Sequence, residues 1–154
     1  MSRIKKILLA ALIVFIAIQF VRPAENKNAQ ASPADISKID SVPENVQAIL
    51  KRSCYDCHSN HTNYPWYSNF QPAGWWLASH IKDGKAELNF NEFGQYSIHR
   101  QRSKLNSIAK TVEDGTMPFP SYAFIHKEAA LTKDEKALII NWANKMKDNL
   151  SLKQ

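Results

Sequence analysis

Apolar positions recur at helical spacing along most of the chain, and no run of alternating β-branched residues competes with that pattern. Val46, Ile49 and Leu50 form an i, i+3, i+4 stripe running into Cys54, with Ser41 as an N-cap ahead of Pro43. A second helix is predicted over Pro72 to Asp83, where Trp76, Leu77, His80 and Ile81 share related faces and Gly84 is placed to stop it. A third runs from near Asn91 to Asp114, aligning Ile98, Leu105, Ile108 and Val112, and Gly115 ends it. The last opens at the capping box Thr132-Lys133-Asp134-Glu135 and carries Leu138, Ile139, Trp142 and Met146. The predicted fold class is all-α.

The N-terminus follows a different pattern. Arg3, Lys5 and Lys6 precede an unbroken apolar run from Ile7 to Ile18, continued after Gln19 by Phe20 and Val21 and closed by Arg22-Pro23. A positive flank before an apolar stretch marks a membrane-targeting segment held on the cytoplasmic side. The stretch falls between a signal-peptide core and the roughly 20 residues of a comfortable span, although Lys6 and Arg22 can snorkel to extend it. Residues 1–22 are therefore expected to be an uncleaved signal anchor. The alternative is cleavage at Ala29-Gln30-Ala31, a small-x-small site eight residues beyond Val21. Both readings export the rest of the chain. Pro23 to Ile39 is polar, with few large apolar groups, and residues 23–40 are expected to form a flexible linker ahead of one domain over 41–154.

Composition narrows the function classes. The 154 residues carry 20 Lys plus Arg against 14 Asp plus Glu, a net charge of +6. Most of that surplus lies in the first 31 residues, and elsewhere the signs are interspersed. No basic stripe with interleaved aromatics is present, so nucleic acid is not an expected partner. Four Trp, five Tyr and seven Phe give too much aromatic mass for a disordered chain. The only two cysteines lie three positions apart and act as one local site.

That site reads Cys54-Tyr55-Asp56-Cys57-His58, the C-x-x-C-H spacing of c-type haem attachment. On a helical turn, thiols three apart lie on one face, where each can add to a haem vinyl group, and His58 can offer an imidazole nitrogen to the iron. A thioredoxin-like pair would want a strand before the motif, where this chain has an amphipathic helix. A zinc site would want a second ligand pair at finger spacing. A disulfide across two residues is geometrically awkward. For a second axial ligand, Met117 follows the Gly115 helix stop, with Pro118 and Pro120 expected to hold the segment extended. His80 and His126 are the alternatives, each one helical turn after an aromatic residue. Met146, on an apolar stripe, reads as core. The aromatic blocks Tyr64-Pro65-Trp66-Tyr67 and Trp75-Trp76 are expected to wall the haem crevice.

The helix entering Cys54, Cys57 and His58, the later Gly115-x-Met117-Pro118, and the terminal helix opening at Leu131-Thr132-x-x-Glu135 together resemble a class I cytochrome c. The blocks Tyr64-Pro65-Trp66-Tyr67-Ser68, Leu88-Asn89-Phe90 and Met117-Pro118-x-x-Ser121-Tyr122-x-x-x-His126 resemble, more closely, the small membrane-anchored haem-binding-domain proteins of the Bacteroidetes. The resemblance implies one covalent haem c on Cys54 and Cys57, with His58 as proximal ligand. The expected activity is one-electron transfer with respiratory-chain partners at the periplasmic face of the inner membrane. A haem-based peroxidase or small-ligand sensor with an open or labile sixth position is the alternative, and nothing else resembles a catalytic set.

Overall fold

The computed structural model describes residues 2–28, 30, 32–39 and 42–152. Eight α-helices follow one another among these residues: α1 (Arg3–Ile18), α2 (Ile36–Ile39), α3 (Glu44–Ser53), α4 (Tyr55–His58), α5 (Ala73–Glu87), α6 (Ile98–Glu113), α7 (Pro120–Ile125) and α8 (Lys133–Ser151). Short 3-10 turns at Trp66–Asn69, Phe90–Gln95 and Lys127–Ala129 complete the order. No strand occurs among the described residues, only an isolated antiparallel bridge between Lys27 and His61. The all-α expectation agrees with this architecture.

The core forms where α6 lies along α8. Leu105, Ile108, Ala109 and Val112 face Ile139, Trp142, Ala143, Met146 and Leu150, and the Val46, Ile49 and Leu50 stripe of α3 closes the same cluster. The 3.6-residue period brings each set onto one face, and burial of that face rather than propensity holds the helices. The capping box at α8 is present in both directions, with Thr132 accepting from the Glu135 N–H and Glu135 accepting from the Thr132 N–H. Met146 is a core residue, 2% exposed.

Three boundaries differ from the sequence expectation. Helix α3 begins after Pro43, and the proposed cap Ser41 lies outside the described residues. Helix α6 starts at the Ser97 cap, and the segment ahead of it, read as helix from Asn91, is instead a 3-10 turn that buries Phe90 and Phe93. Helix α5 continues through Gly84 to Glu87, so that glycine does not terminate it. Pro120 is the first residue of α7 and does not extend the chain.

The segment read as a flexible linker packs on the domain. Ile36 is 1% exposed within the core cluster, the Gly94 N–H donates to the Ala34 carbonyl at 2.8 Å, and the Asp35 carboxylate accepts from Asn91 Nδ2 at 2.7 Å. Farther upstream, Asn26 Nδ2 donates to the Ser59 carbonyl and Thr62 Oγ1, both at 2.9 Å, and its N–H donates to Tyr64 Oη at 2.6 Å. The segment is poor in apolar residues, but one buried Ile and a few fully bonded polar side chains are enough to fix it. Helix α1 carries no buried residue, and among the described residues no helix is long and apolar enough to cross a membrane. The candidate cleavage residues Ala29 and Ala31 lie outside the described residues.

Ile36→Ala should therefore lower unfolding stability by about 2–5 kcal/mol, the range for a truncated buried Ile. Denaturant unfolding measures it. A solvated tether would instead leave the midpoint within about 0.5 kcal/mol of the parent.

Candidate haem site

A single turn of helix, α4, with Cys54 at its cap, carries the Cys54–His58 motif. It begins as α3 ends at Cys54, whose backbone breaks from helical geometry (φ −128°, ψ −37°). The Cys57 and His58 N–H groups both donate to the Cys54 carbonyl, at 3.2 and 3.0 Å, which closes the motif into one compact turn. Tyr55 stacks on Phe90 with ring centroids 5.0 Å apart, and His58 meets the edge of the same ring at 6.2 Å. Asp56 ties the turn to the rest of the chain: Oδ1 accepts from the N–H and Nδ2 of Asn63 at 3.0 Å, and Oδ2 accepts from Tyr122 Oη at 2.7 Å. Burial, reinforced by that carboxylate, pushes the Tyr122 hydroxyl well above the usual phenol range.

His58 is oriented by backbone. Its Nδ1 lies 2.8 Å from the Gly84 carbonyl and 3.0 Å from the Leu88 carbonyl, two acceptors that require Nδ1 to carry the proton. Nε2 is left as the free lone pair, the arrangement in which a histidine serves as a ligand. Burial lowers its pKa below 6.5, favouring the neutral imidazole. Burial also pushes the thiols up, Cys54 to about 12 and Cys57 to about 11, so both are protonated and unpaired at neutral pH.

Gly84 is the residue that brings α5 this close. A Cβ built there would meet the Cys57 carbonyl oxygen at 2.8 Å and Cys57 Cβ at 3.2 Å. Glycine inside a helix costs about 1 kcal/mol relative to alanine, and here it permits the approach that lets its own carbonyl hold His58. The loop after the motif is fixed by asparagines: Asn89 Nδ2 donates to Asn60 Oδ1 at 2.8 Å, and the Asn60 N–H donates to Asn91 Oδ1 at 2.7 Å. Sequence reading missed Gly84, Asp56 and these asparagines as site residues; an isolated glycine inside a helical pattern was the signal for the first.

Met117 arrives by a different device. Gly115, at φ +72°, closes α6 in a Schellman arrangement, with its N–H donating to Val112 and the Thr116 N–H to Thr111. The Met117 N–H donates to the same Thr111 carbonyl at 3.1 Å, and the Met117–Pro118 peptide is cis. The chain thus folds back over the C-terminal end of α6.

These elements enclose a cavity of about 570 Å³ whose lining includes Cys54, Cys57, His58, His80 and Met117. Its walls are largely apolar, with Leu77, Leu88, Phe90, Ile108 and Phe119 among them, and the volume lies in the ~300–1,000 Å³ range of cofactor pockets. Ser53 Oγ, on the same lining, is buried without a partner. His80 directs Nδ1 to the Trp76 carbonyl at 2.8 Å and packs between Trp76 and Phe119, so its Nε2 is also free. His126 is placed elsewhere. It does not line the cavity, its Nε2 lies 2.9 Å from Tyr67 Oη, and its Nδ1 lies 3.2 Å from the Glu128 carboxylate. Trp76 walls the cavity as expected, whereas Tyr64, Trp66, Tyr67 and Trp75 are not on its lining. Among the described residues no three His, Cys, Asp or Glu side chains gather into a group that could hold a metal ion by themselves.

Gly84→Ala should therefore destabilise the protein by about 1–3 kcal/mol, as overpacking outweighs the gain in helix propensity. Denaturant unfolding of the apoprotein measures it. A neutral or stabilising change would show that α5 does not need this close approach.

The residues present suit a flat, largely apolar group held at its edge by two thiols and at its centre by an imidazole. No curated protein and no solved structure matches the chain. A family model described as haem-binding domain matches residues 13–145, a range that takes in the packed segment before Ser41 as well as the whole cavity. The chain belongs to the haem-binding domain family.

Proposed function

We propose that this protein carries one covalent haem c and transfers single electrons at the periplasmic face of the inner membrane. The observation that carries this reading is the placing of Cys54, Cys57 and a pre-oriented His58 on the lining of one apolar cavity with Met117 and His80. Bound haem supplies a one-electron iron couple. Cys54 and Cys57 would hold its edge as thioethers, each S–H adding across one vinyl group. His58 would present Nε2 to the iron, while the Gly84 and Leu88 carbonyls keep the ring proton on Nδ1 and so raise its basicity as a ligand. Met117, on the same lining, would supply a second ligand, and thioether sulfur in that role favours the ferrous state and raises the reduction potential. The apolar walls exclude water, so a change in iron charge requires little solvent rearrangement.

His80 supports a second ligation, because its Nε2 is free and on the same lining. A sensor or peroxidase with a labile sixth position would use the same cavity. Partners are redox proteins of the respiratory chain. Export rests on the basic flank and apolar run of α1. Retention of the N-terminus is supported by the contacts of Asn26 and by the Asn28 N–H donating to the Asn60 carbonyl at 2.9 Å, all of which cleavage after Ala31 would remove from the loop beside His58.

Coexpression with a cytochrome c maturation system should yield a pigment that survives acid-acetone extraction and gives a c-type pyridine haemochrome. An intact mass equal to that of the apoprotein would refute covalent attachment. Met117→Ala should abolish the weak red-edge charge-transfer band of the ferric protein and lower its potential, whereas His80→Ala should leave the band in place. The reverse pattern would assign bis-histidine ligation, and a ferrous-carbonyl spectrum in the parent would favour the open-site reading.

A further inference from the structure

Helix α1 joins the domain through its last residues in a manner a tether does not need. Gln19 pairs its side-chain amide with the backbone of Gln71, Oε1 accepting from the Gln71 N–H at 2.8 Å and Nε2 donating to the Gln71 carbonyl at 3.1 Å. Two residues on, the Val21 carbonyl accepts from Trp75 Nε1 at 2.7 Å. Gln71 is itself 3% exposed, so α1 ends on a fixed point just ahead of α5.

Three large rings are exposed around this joint. Phe20, next to Gln19, is 83% exposed; Phe70, next to Gln71, is 55% exposed; and Trp66, at 76%, meets Phe70 edge-on at 6.1 Å. Monomeric surfaces rarely expose rings of this size together without a use. None of the three lines the haem cavity.

We propose that Trp66 and Phe70, together with Phe20, form a collar that seats the domain on a phospholipid bilayer at the headgroup boundary. The inference rests on α1 being the membrane anchor and goes beyond it by giving the domain a membrane-facing side. What favours lipid over a protein groove is continuity with α1. That helix carries no charge from Ile7 to Ile18 and buries no residue on any side. A helix that is apolar all round calls for an apolar surround rather than a groove on one face. Length does not carry α1 across a bilayer by itself, and the rings beside its end would lie where it falls short. Sixteen residues at about 1.5 Å each give ~24 Å, short of the ~30 Å hydrocarbon core. Phe20, Phe70 and Trp66 then stand where the helix runs out, at the level where aromatic side chains belong in a membrane. Arg3, Lys5 and Lys6 sit at the other end of α1, away from the three rings.

The test uses the full-length holoprotein in vesicles of phosphatidylethanolamine and phosphatidylglycerol doped with a photoactivatable phospholipid, followed by digestion and peptide mapping. Lipid adducts are expected on α1 and on the peptide holding Trp66 and Phe70. The Trp66→Ser/Phe70→Ser protein should keep the α1 adducts and the parent haem spectrum while losing the domain adducts. Adducts on α1 alone in the parent would overturn the collar and leave the anchor standing. Cross-links from the Trp66 peptide to a second copy of the chain, in place of lipid, would also overturn it. No lipid adduct at either place would remove the anchor, and the collar with it.

Discussion

The site depends on one close approach, α5 against the attachment turn at Gly84. Removing a single Cβ lets the Gly84 carbonyl reach His58 Nδ1, and the Leu88 carbonyl shares the same proton. If α5 stood off, the Gly84 and Leu88 carbonyls would both be withdrawn and Nδ1–H would lose its two acceptors. A buried N–H without a partner costs about 1–3 kcal/mol, so the ring would be driven to reorient or to swell the packing. One backbone distance thus fixes a tautomer, a ring orientation and the free lone pair.

The surroundings maintain that distance from two directions. Asp56, inside the motif, is held by Asn63 and Tyr122, which ties α4 to α7. Asn60, Asn89 and Asn91 lock the following loop to the strip that ends in Leu88 and Phe90. Buried polar networks of this kind favour one arrangement because each partner left unmatched is costly. The attachment turn is short, and it owes its geometry to these side chains more than to its own helical hydrogen bonds.

Much of this was legible in the sequence, for physical reasons. Strong periodicity revealed α3, α6 and α8, whose apolar faces are buried in one core, and the Thr132–Glu135 box marked the start of α8. The spacing of Cys54, Cys57 and His58 and the glycine stop ahead of Met117 marked four residues that line one cavity. The role of Gly84 was misread: local propensity takes glycine as a terminator, while the reason for it lies in Cys57, 27 positions away. The packing of Asn26, Asp35 and Ile36 was hidden for a similar reason. The anchoring comes from Ile36 and a handful of polar side chains, whose partners at Ser59, Thr62 and Asn91 are invisible to any local window. His126 shows the converse case, a plausible spacing whose ring nitrogens face Tyr67 and Glu128.

The Schellman closure of α6 bears on how tightly Met117 is committed to its place. Its backbone N–H and that of Thr116 converge on the Thr111 carbonyl, and Gly115 alone supplies the left-handed link between them. Moving the residue far from the cavity would mean unravelling the end of a helix whose Ile108 and Val112 also line that cavity. Carrying the Met117 backbone away from the cavity then becomes a small cooperative opening that takes the last turn of α6 with it. The segment that presents Met117 is therefore as firm as the helix end it closes.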